Sequence, residues 1–154
     1  MARVSAINCA SMLCSRLRSV CVLAVMAALT ACLAEHRDTS SQAPYKARVG
    51  QICDVLLPLR AHGYTNKLER EKKTDGISIW NPGFTGPEMT FLVHLQPGTK
   101  LSLVAARECT NCPFDRNPEY LVQVIPKPRE FGETPAYLRE ISLSNGTLRC
   151  TAPQ

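Results

Sequence analysis

The sequence predicts a small all-β domain, an antiparallel sandwich or barrel stapled by disulfide bonds. Apolar residues recur with period two along most of the chain after residue 50, which is typical of strands with one face on a core. Turn motifs rich in glycine, proline and asparagine separate these runs. Four cysteines lie in the same 104 residues, 51–154, a length that can bury a core and benefits from crosslinks.

The predicted strands follow in order, each with alternate residues facing inward. No strand–helix–strand alternation is visible, so about seven or eight short antiparallel strands are expected. The inward-facing residues are Cys53, Val55, Leu57 and Leu59, then Ile77 and Ile79, then Phe91, Val93 and Leu95, then Leu101, Leu103 and Ala105, and finally Tyr120, Val122 and Val124.

Two further local structures are predicted near the end of the chain. Asn145-Gly146 stands between two runs of compatible residues, 140–144 and 147–150, and is typical of a two-residue β-hairpin. In that register Ile141 would lie opposite Cys150, which would face the core. Thr134 and Pro135 open a possible helical turn over 134–139.

The amino terminus has the composition of an export signal. Residues 1–18 contain three arginines and no acidic residue, and twelve mainly apolar residues follow from 20 to 31. Such a run is too short to cross a bilayer, which needs about 20 helical residues. A basic segment followed by a short apolar core and small residues is typical of a secretory signal peptide, predicted here at 1–31.

The end of this segment, Leu29-Thr30-Ala31-Cys32, resembles the lipobox of bacterial lipoproteins. The resemblance covers only the first 32 residues, and it implies cleavage before Cys32, diacylglycerol on its sulfur and acylation of its new amino group by a chain such as palmitate. Several acyl chains hold a protein firmly at a membrane, since each buried CH₂ contributes about 0.8 kcal/mol. Leu33, where aspartate would imply inner-membrane retention, implies an outer-membrane anchor facing the periplasm. The alternative is an ordinary signal peptide cleaved near Ala34.

The segment after the signal is polar and lacks a sustained apolar period, so residues 32–50 are predicted to be a flexible tether and 51–154 the folded domain. The chain carries a net charge of +5, but removing Arg3, Arg16 and Arg18 leaves 15 basic and 13 acidic residues, or +2. No basic stripe remains, which argues against a nucleic-acid-binding protein.

The remaining cysteines, Cys53, Cys109, Cys112 and Cys150, are predicted to form two disulfides, because an exported domain folds in an oxidising compartment. Three pairings are possible. Cys53 with Cys150 is favoured because the first and last strands of a sandwich are often neighbours, which leaves Cys109 with Cys112. A thioredoxin-like redox motif at 109–112 is an alternative, but no helix is predicted after it. A Cys₄ zinc site is another, with only one close pair of ligands.

The sequence predicts neither catalysis nor a cofactor. His62 and His94 belong to no recognisable nucleophile or metal motif, and no phosphate-binding or hydrolase signature occurs. His94 alternates with outward-facing residues and is interpreted as a surface or groove histidine. Residues 115–119 place oxygen ligands at alternate positions like the start of a calcium loop, but the glycine and glutamate of an EF-hand are missing.

The loop 80–87 is a candidate binding site, because Trp80 and Phe84 are rigid aromatics in a segment rich in proline and glycine. The alternative is that Trp80 caps the core. The predicted function is therefore binding of an envelope protein by a lipid-anchored module, as an accessory subunit of a secretion or envelope assembly or as an inhibitor or immunity-type lipoprotein. A carbohydrate- or peptidoglycan-binding module using Trp80 and Phe84 is the alternative, and a thiol-active protein using Cys109 and Cys112 is a third reading.

Overall fold

A computed structural model describes residues 35–67, 73–112 and 117–152. This part of the chain forms nine strands and very little helix. The all-β class predicted from the sequence is confirmed. In that part of the chain no helix has the length and apolar character needed to cross a membrane. The predicted signal peptide and the lipobox cysteine, Cys32, lie outside the described residues. The strands are β1 (His36–Asp38), β2 (Ile52–Val55), β3 (Leu59–Tyr64), β4 (Gly76–Ile79), β5 (Met89–Leu95), β6 (Lys100–Cys109), β7 (Glu119–Ile125), β8 (Ala136–Arg139) and β9 (Leu148–Thr151).

All nine strands belong to one sheet that is not closed into a barrel. The strand order is β5-β3-β4-β8-β7-β6-β2-β9, and β1 pairs with β6 beside β2. Every neighbouring pair is antiparallel except β4 and β8, which run parallel. Short 3₁₀ helices occur at Tyr45–Ala47 and Arg129–Phe131, and a single α-helical turn, α1, spans Ile141–Ser144.

The sheet curls on itself, as its short connections require. β2 and β3 are five places apart in the strand order, which would separate them by about 24 Å in a flat sheet. Only residues 56–58 join them, and four Cα–Cα steps reach at most about 14 Å. β5 and β6 are also five places apart and are joined by residues 96–99. The two halves of the sheet therefore approach each other and enclose one core.

The core contains most of the residues that the period-two pattern predicts. Leu57 is an exception, because β2 ends at Val55 and the connection leaves Leu57 58% exposed. The bulge between Leu103 and Ala105 is another, because it shifts the alternation of β6 by one residue and turns Ala106 inward. The buried apolar cluster comprises Cys53, Val55, Leu59, Ala61, Ile77, Ile79, Leu95, Leu101, Leu103, Ala106, Tyr120, Val122, Val124, Phe131, Ala136, Leu138 and Leu148.

Residues 36–50, assigned to the tether in the sequence analysis, are part of the folded unit. β6 is ten residues long, and β2 pairs only with its residues 100–102. The free remainder of that edge accepts β1, which pairs His36 with Cys109 and Asp38 with Arg107. The chain then crosses the end of the core, where the Thr39 amide donates to the Ala106 carbonyl at 2.9 Å. Pairing along an otherwise free strand edge is what holds this segment in place, although His36–Asp38 stay exposed.

Both local predictions near the end of the chain are wrong. The hairpin around Asn145-Gly146 does not form, because 141–144 is α1 and β9 pairs with β2 instead. The helical turn predicted at 134–139 is strand β8, which buries Ala136 and Leu138 between β4 and β7. In each case pairing with distant strands overrides a local signal.

The four cysteines of the folded unit form two disulfides. Cys53 of β2 lies directly opposite Cys150 of β9 and is bonded to it across 97 residues of chain. Cys109, at the end of β6, is bonded to Cys112. This is the pairing favoured from the sequence, and the Cys53–Cys150 bond joins β2 to β9 at one end of the strand order.

A candidate binding face on the outer side of the sheet

Charged and aromatic residues from four neighbouring strands meet on the outer face of the sheet, the face turned away from the core. Arg107 lies opposite Glu119 in the β6–β7 register, and Glu119 lies opposite Arg139 in the β7–β8 register. Tyr137 precedes Arg139 by two residues on β8, and Trp80 directly follows β4, the next strand. Together these five residues are called the arginine–aromatic band below.

Two arginines share one carboxylate at the centre of the band. Arg107 donates to Glu119 Oε2 from Nε at 3.1 Å and from Nη2 at 2.7 Å. Arg139 Nε lies 3.8 Å from Glu119 Oε1. The three side chains are 22%, 19% and 17% exposed for Arg107, Arg139 and Glu119. These charges lie in a partly desolvated setting, where charge–charge interactions are stronger than in water.

Each arginine also packs against an aromatic ring. Cζ of Arg107 lies 3.3 Å from the centroid of the Tyr137 ring, and Cζ of Arg139 lies 4.7 Å from that of Trp80. Burial lowers the pKa of Arg139 from its very high ordinary value. A guanidinium held between a carboxylate and a ring has few alternative rotamers, so the band is fixed before any partner arrives.

A hollow of about 250 Å³ lies beside the band. The side chains of Ala105 and Leu121 supply its apolar lining, while Arg107, Tyr137, His36 and Asp38 supply the polar part of its wall. Burial and then the positive charge of Arg107 lower the pKa of His36, against the opposing charge of Glu119. The hollow can take an apolar side chain and offers hydrogen-bonding groups around it.

The structure places the two aromatics of the candidate loop against different partners. Trp80 is half-buried in the band, under Arg139. Phe84 packs against His62, with ring centroids 5.0 Å apart. Between them, the loop folds back onto β3, where Asn81 Oδ1 accepts from the Arg60 amide at 3.1 Å. The loop is therefore part of the outer face, and Trp80 is the member that joins the band.

The bonded cysteines Cys109 and Cys112 lie at the edge of this region. With His36, Asn117 and Glu119 they line a smaller hollow of about 60 Å³. Within residues 35–67, 73–112 and 117–152, no group of three or more histidine, cysteine, aspartate or glutamate side chains is placed to hold a metal ion. Cys32 lies outside the described residues.

Sequence reasoning missed four of the five members of the band, Arg107, Glu119, Tyr137 and Arg139. Glu119, Tyr137 and Arg139 each alternate with a buried residue on their own strand, a pattern that indicates an outward position. Arg107 shares the parity of Leu101 and Leu103, and only the bulge in β6 turns it outward. The sequence does not reveal the order of the strands in the sheet, and only that order brings these residues together.

Comparisons with protein-family models, with curated proteins and with solved structures found no match.

Proposed function

We propose that this protein is a lipid-anchored component of the bacterial envelope, at the outer membrane and facing the periplasm, that binds another protein through the arginine–aromatic band. The proposal depends on one structural observation, the fixed cluster of Trp80, Tyr137 and two arginines around Glu119 beside a hollow. The lipobox resemblance at Cys32 and the disulfides support an exported, membrane-attached location.

The composition of the band supports a protein partner. Tryptophan, tyrosine and arginine dominate the residues whose truncation weakens protein–protein binding most. Their value comes from a large contact area at little cost in side-chain entropy, and here packing already restricts Arg107 and Arg139. The hollow beside Tyr137 offers a place for one anchoring side chain of the partner.

The same contacts favour a protein over a sugar as the ligand. Carbohydrate modules stack sugar rings on open aromatic faces. One face of Trp80 is covered by Arg139, and Phe84 packs on His62. The band offers guanidinium groups and ring edges, which suit carboxylates and apolar side chains of a partner protein.

A photo-crosslinking experiment in native membranes tests the binding face. Benzoylphenylalanine replaces Leu121, which lines the hollow, and in a matched control it replaces Gln123, two residues further along β7 on the same face. We expect a discrete protein adduct from position 121 and little from 123, and loss of the adduct when Tyr137→Ala is added. No adduct, or equal adducts at both positions, would contradict the proposal.

The anchor is tested separately. Intact-mass analysis of the native protein should show a chain beginning at Cys32 that carries diacylglycerol and an acyl group. Cys32→Ser should move the protein from the membrane to the soluble envelope fraction. An unmodified thiol at position 32 would remove the anchor from the proposal and leave the binding face to be judged by the crosslinking result.

A further inference from the structure

A second and larger hollow lies on the outer face, near the edge of the sheet formed by β5. Its volume is about 400 Å³, and it is lined by Pro58, Arg60, Asn81, Pro82 and His94. It shares no lining residue with the hollow beside the band. The two hollows are therefore separate sites, and this one lies outside the proposed partner-binding face.

The loop after β4 builds this hollow rigidly. Asn81 uses both ends of its amide, accepting from the Arg60 backbone amide at 3.1 Å and donating to the Pro58 carbonyl at 3.0 Å. The Trp80 amide donates to the Arg60 carbonyl at 3.0 Å. Arg60 donates from Nη1 to the Pro82 carbonyl at 2.8 Å, which positions its guanidinium over the hollow. A guanidinium has five N–H donors, so most of them stay available to a ligand.

The charged side chain in the lining of the hollow is Arg60. Arg60 and His94 lie directly opposite each other in the β3–β5 register, and both belong to the exposed side of the sheet. None of the lining side chains is acidic. Arg60 takes part in none of the ion pairs found within the described part of the chain. The carboxylates of those pairs belong to Glu108, Glu119, Glu133 and Glu140.

A neighbouring buried side chain is affected by the same positive charge. Burial lowers the pKa of His62, the residue two positions after Arg60 on the same face of β3. A hydrogen bond with the Ser78 backbone opposes this, and the charges of Arg60 and His94 add to the lowering. Positive potential without a nearby carboxylate favours binding of an anion.

We propose that this hollow is a binding site for an oxyanion, a carboxylate or phosphate group, held by the Arg60 guanidinium together with the His94 imidazole. The planar fork of arginine matches the two oxygens of a carboxylate or phosphate. The hydrogen bond to Pro82 orients that fork before the ligand arrives, which reduces the entropy lost on binding. The source of the oxyanion can be a free anion or a lipid headgroup.

NMR titration of the full chain with inorganic phosphate and with acetate tests the site. We expect saturable shifts of the Arg60 Nε–H and of the His94 ring, both of which line the hollow. Arg60→Gln should weaken binding roughly tenfold or more, because it removes a charge-assisted hydrogen bond, and His94→Gln should weaken it less. Arg129→Gln, which removes the same charge from an exposed 3₁₀ helix, should leave binding unchanged.

Two results would overturn the proposal. One is the absence of saturable shifts at Arg60 and His94 with either anion. The other is binding of equal strength in the Arg60→Gln variant, which would mean an adventitious ion only.

A further experiment distinguishes a free anion from a lipid headgroup as the source of the oxyanion. Shifts at Arg60 in nanodiscs of phosphatidylglycerol, lost in the Arg60→Gln variant and competed by inorganic phosphate, identify a lipid phosphate, whereas shifts with free anions alone identify a soluble ligand.

Discussion

His62 lies directly against Gly83, so closely that a side chain at position 83 would overlap the imidazole ring. The glycine belongs to the loop after β4 and has φ +83°, a conformation that residues with a Cβ rarely adopt. His62 is only 2% exposed beneath it, and Phe84 packs on the same ring. This contact joins the loop that carries Trp80 to strand β3.

Substituting Gly83→Ala should destabilise the protein more than substituting Gly98→Ala. Both glycines have positive φ, +83° and +91°, so both variants lose about 1–2 kcal/mol through the backbone. Gly98 has open space around it, whereas the new methyl group at 83 meets His62. Overpacking adds about 1–3 kcal/mol. Urea unfolding of the two variants measures the difference, and equal destabilisation would mean that the loop does not rest on His62.

The free energy of unfolding should fall as pH decreases through the range in which histidines titrate, and His62 should account for part of the slope. Burial lowers the pKa of His62 in the folded state, so the unfolded chain binds the proton more readily. Stability from this residue is complete above the unfolded pKa of about 6.5 and is lost as pH falls toward the folded value. Denaturation from about pH 8 to about pH 5 measures the slope, which should be shallower in a His62→Asn variant. An unchanged slope would contradict the burial of a neutral ring.

Removal of the Cys53–Cys150 disulfide should cost far more stability than removal of Cys109–Cys112. The first closes 97 residues of chain and the second closes three. The chain-entropy model gives about 5 kcal/mol for the long loop and about 2 kcal/mol for the short one. Paired alanine substitutions, Cys53→Ala with Cys150→Ala and Cys109→Ala with Cys112→Ala, provide the comparison by thermal or urea unfolding. Similar losses in the two variants would indicate that β9 is held by its pairing with β2 rather than by the bond.

Period-two alternation was sufficient to predict most of the core. Ile77, Val122 and Val124 are buried as expected, because each strand has one face on a single enclosed core. The alternation failed where the backbone departs from a regular strand. At Leu57 the chain turns between β2 and β3, and after Leu103 a bulge changes the parity.

Local signals near residue 140 gave the wrong structure because pairing partners are set over long distances. Asn145-Gly146 favours a hairpin on its own, but Cys150 is bonded to Cys53 and β9 pairs fully with β2. β8 shows the same effect, since its parallel partner β4 is about 60 residues away in sequence. The candidate site also depends on pairing between distant strands, which the sequence alone does not reveal. Trp80 and Arg107 become neighbours of Arg139 and Glu119 only through the strand order.

Replacing Glu119 by glutamine should disturb the band as a unit. Glutamine keeps the shape of the side chain but leaves Arg107 and Arg139 without their shared carboxylate, in a site where the three side chains are at most 22% exposed. Breaking hydrogen bonds between charged groups in such a site costs about 1–3 kcal/mol, and it also weakens capture of the proposed partner. Glu133→Gln is the matched control, because Glu133 is fully exposed at 103% and its contact with Lys127 is 3.8 Å long, so its loss should leave stability unchanged. Urea unfolding and the crosslinking yield from position 121 report the two effects. If Glu119→Gln behaved like Glu133→Gln in both measurements, the carboxylate would not organise the face, and the arginines would be solvated surface groups rather than a preformed site.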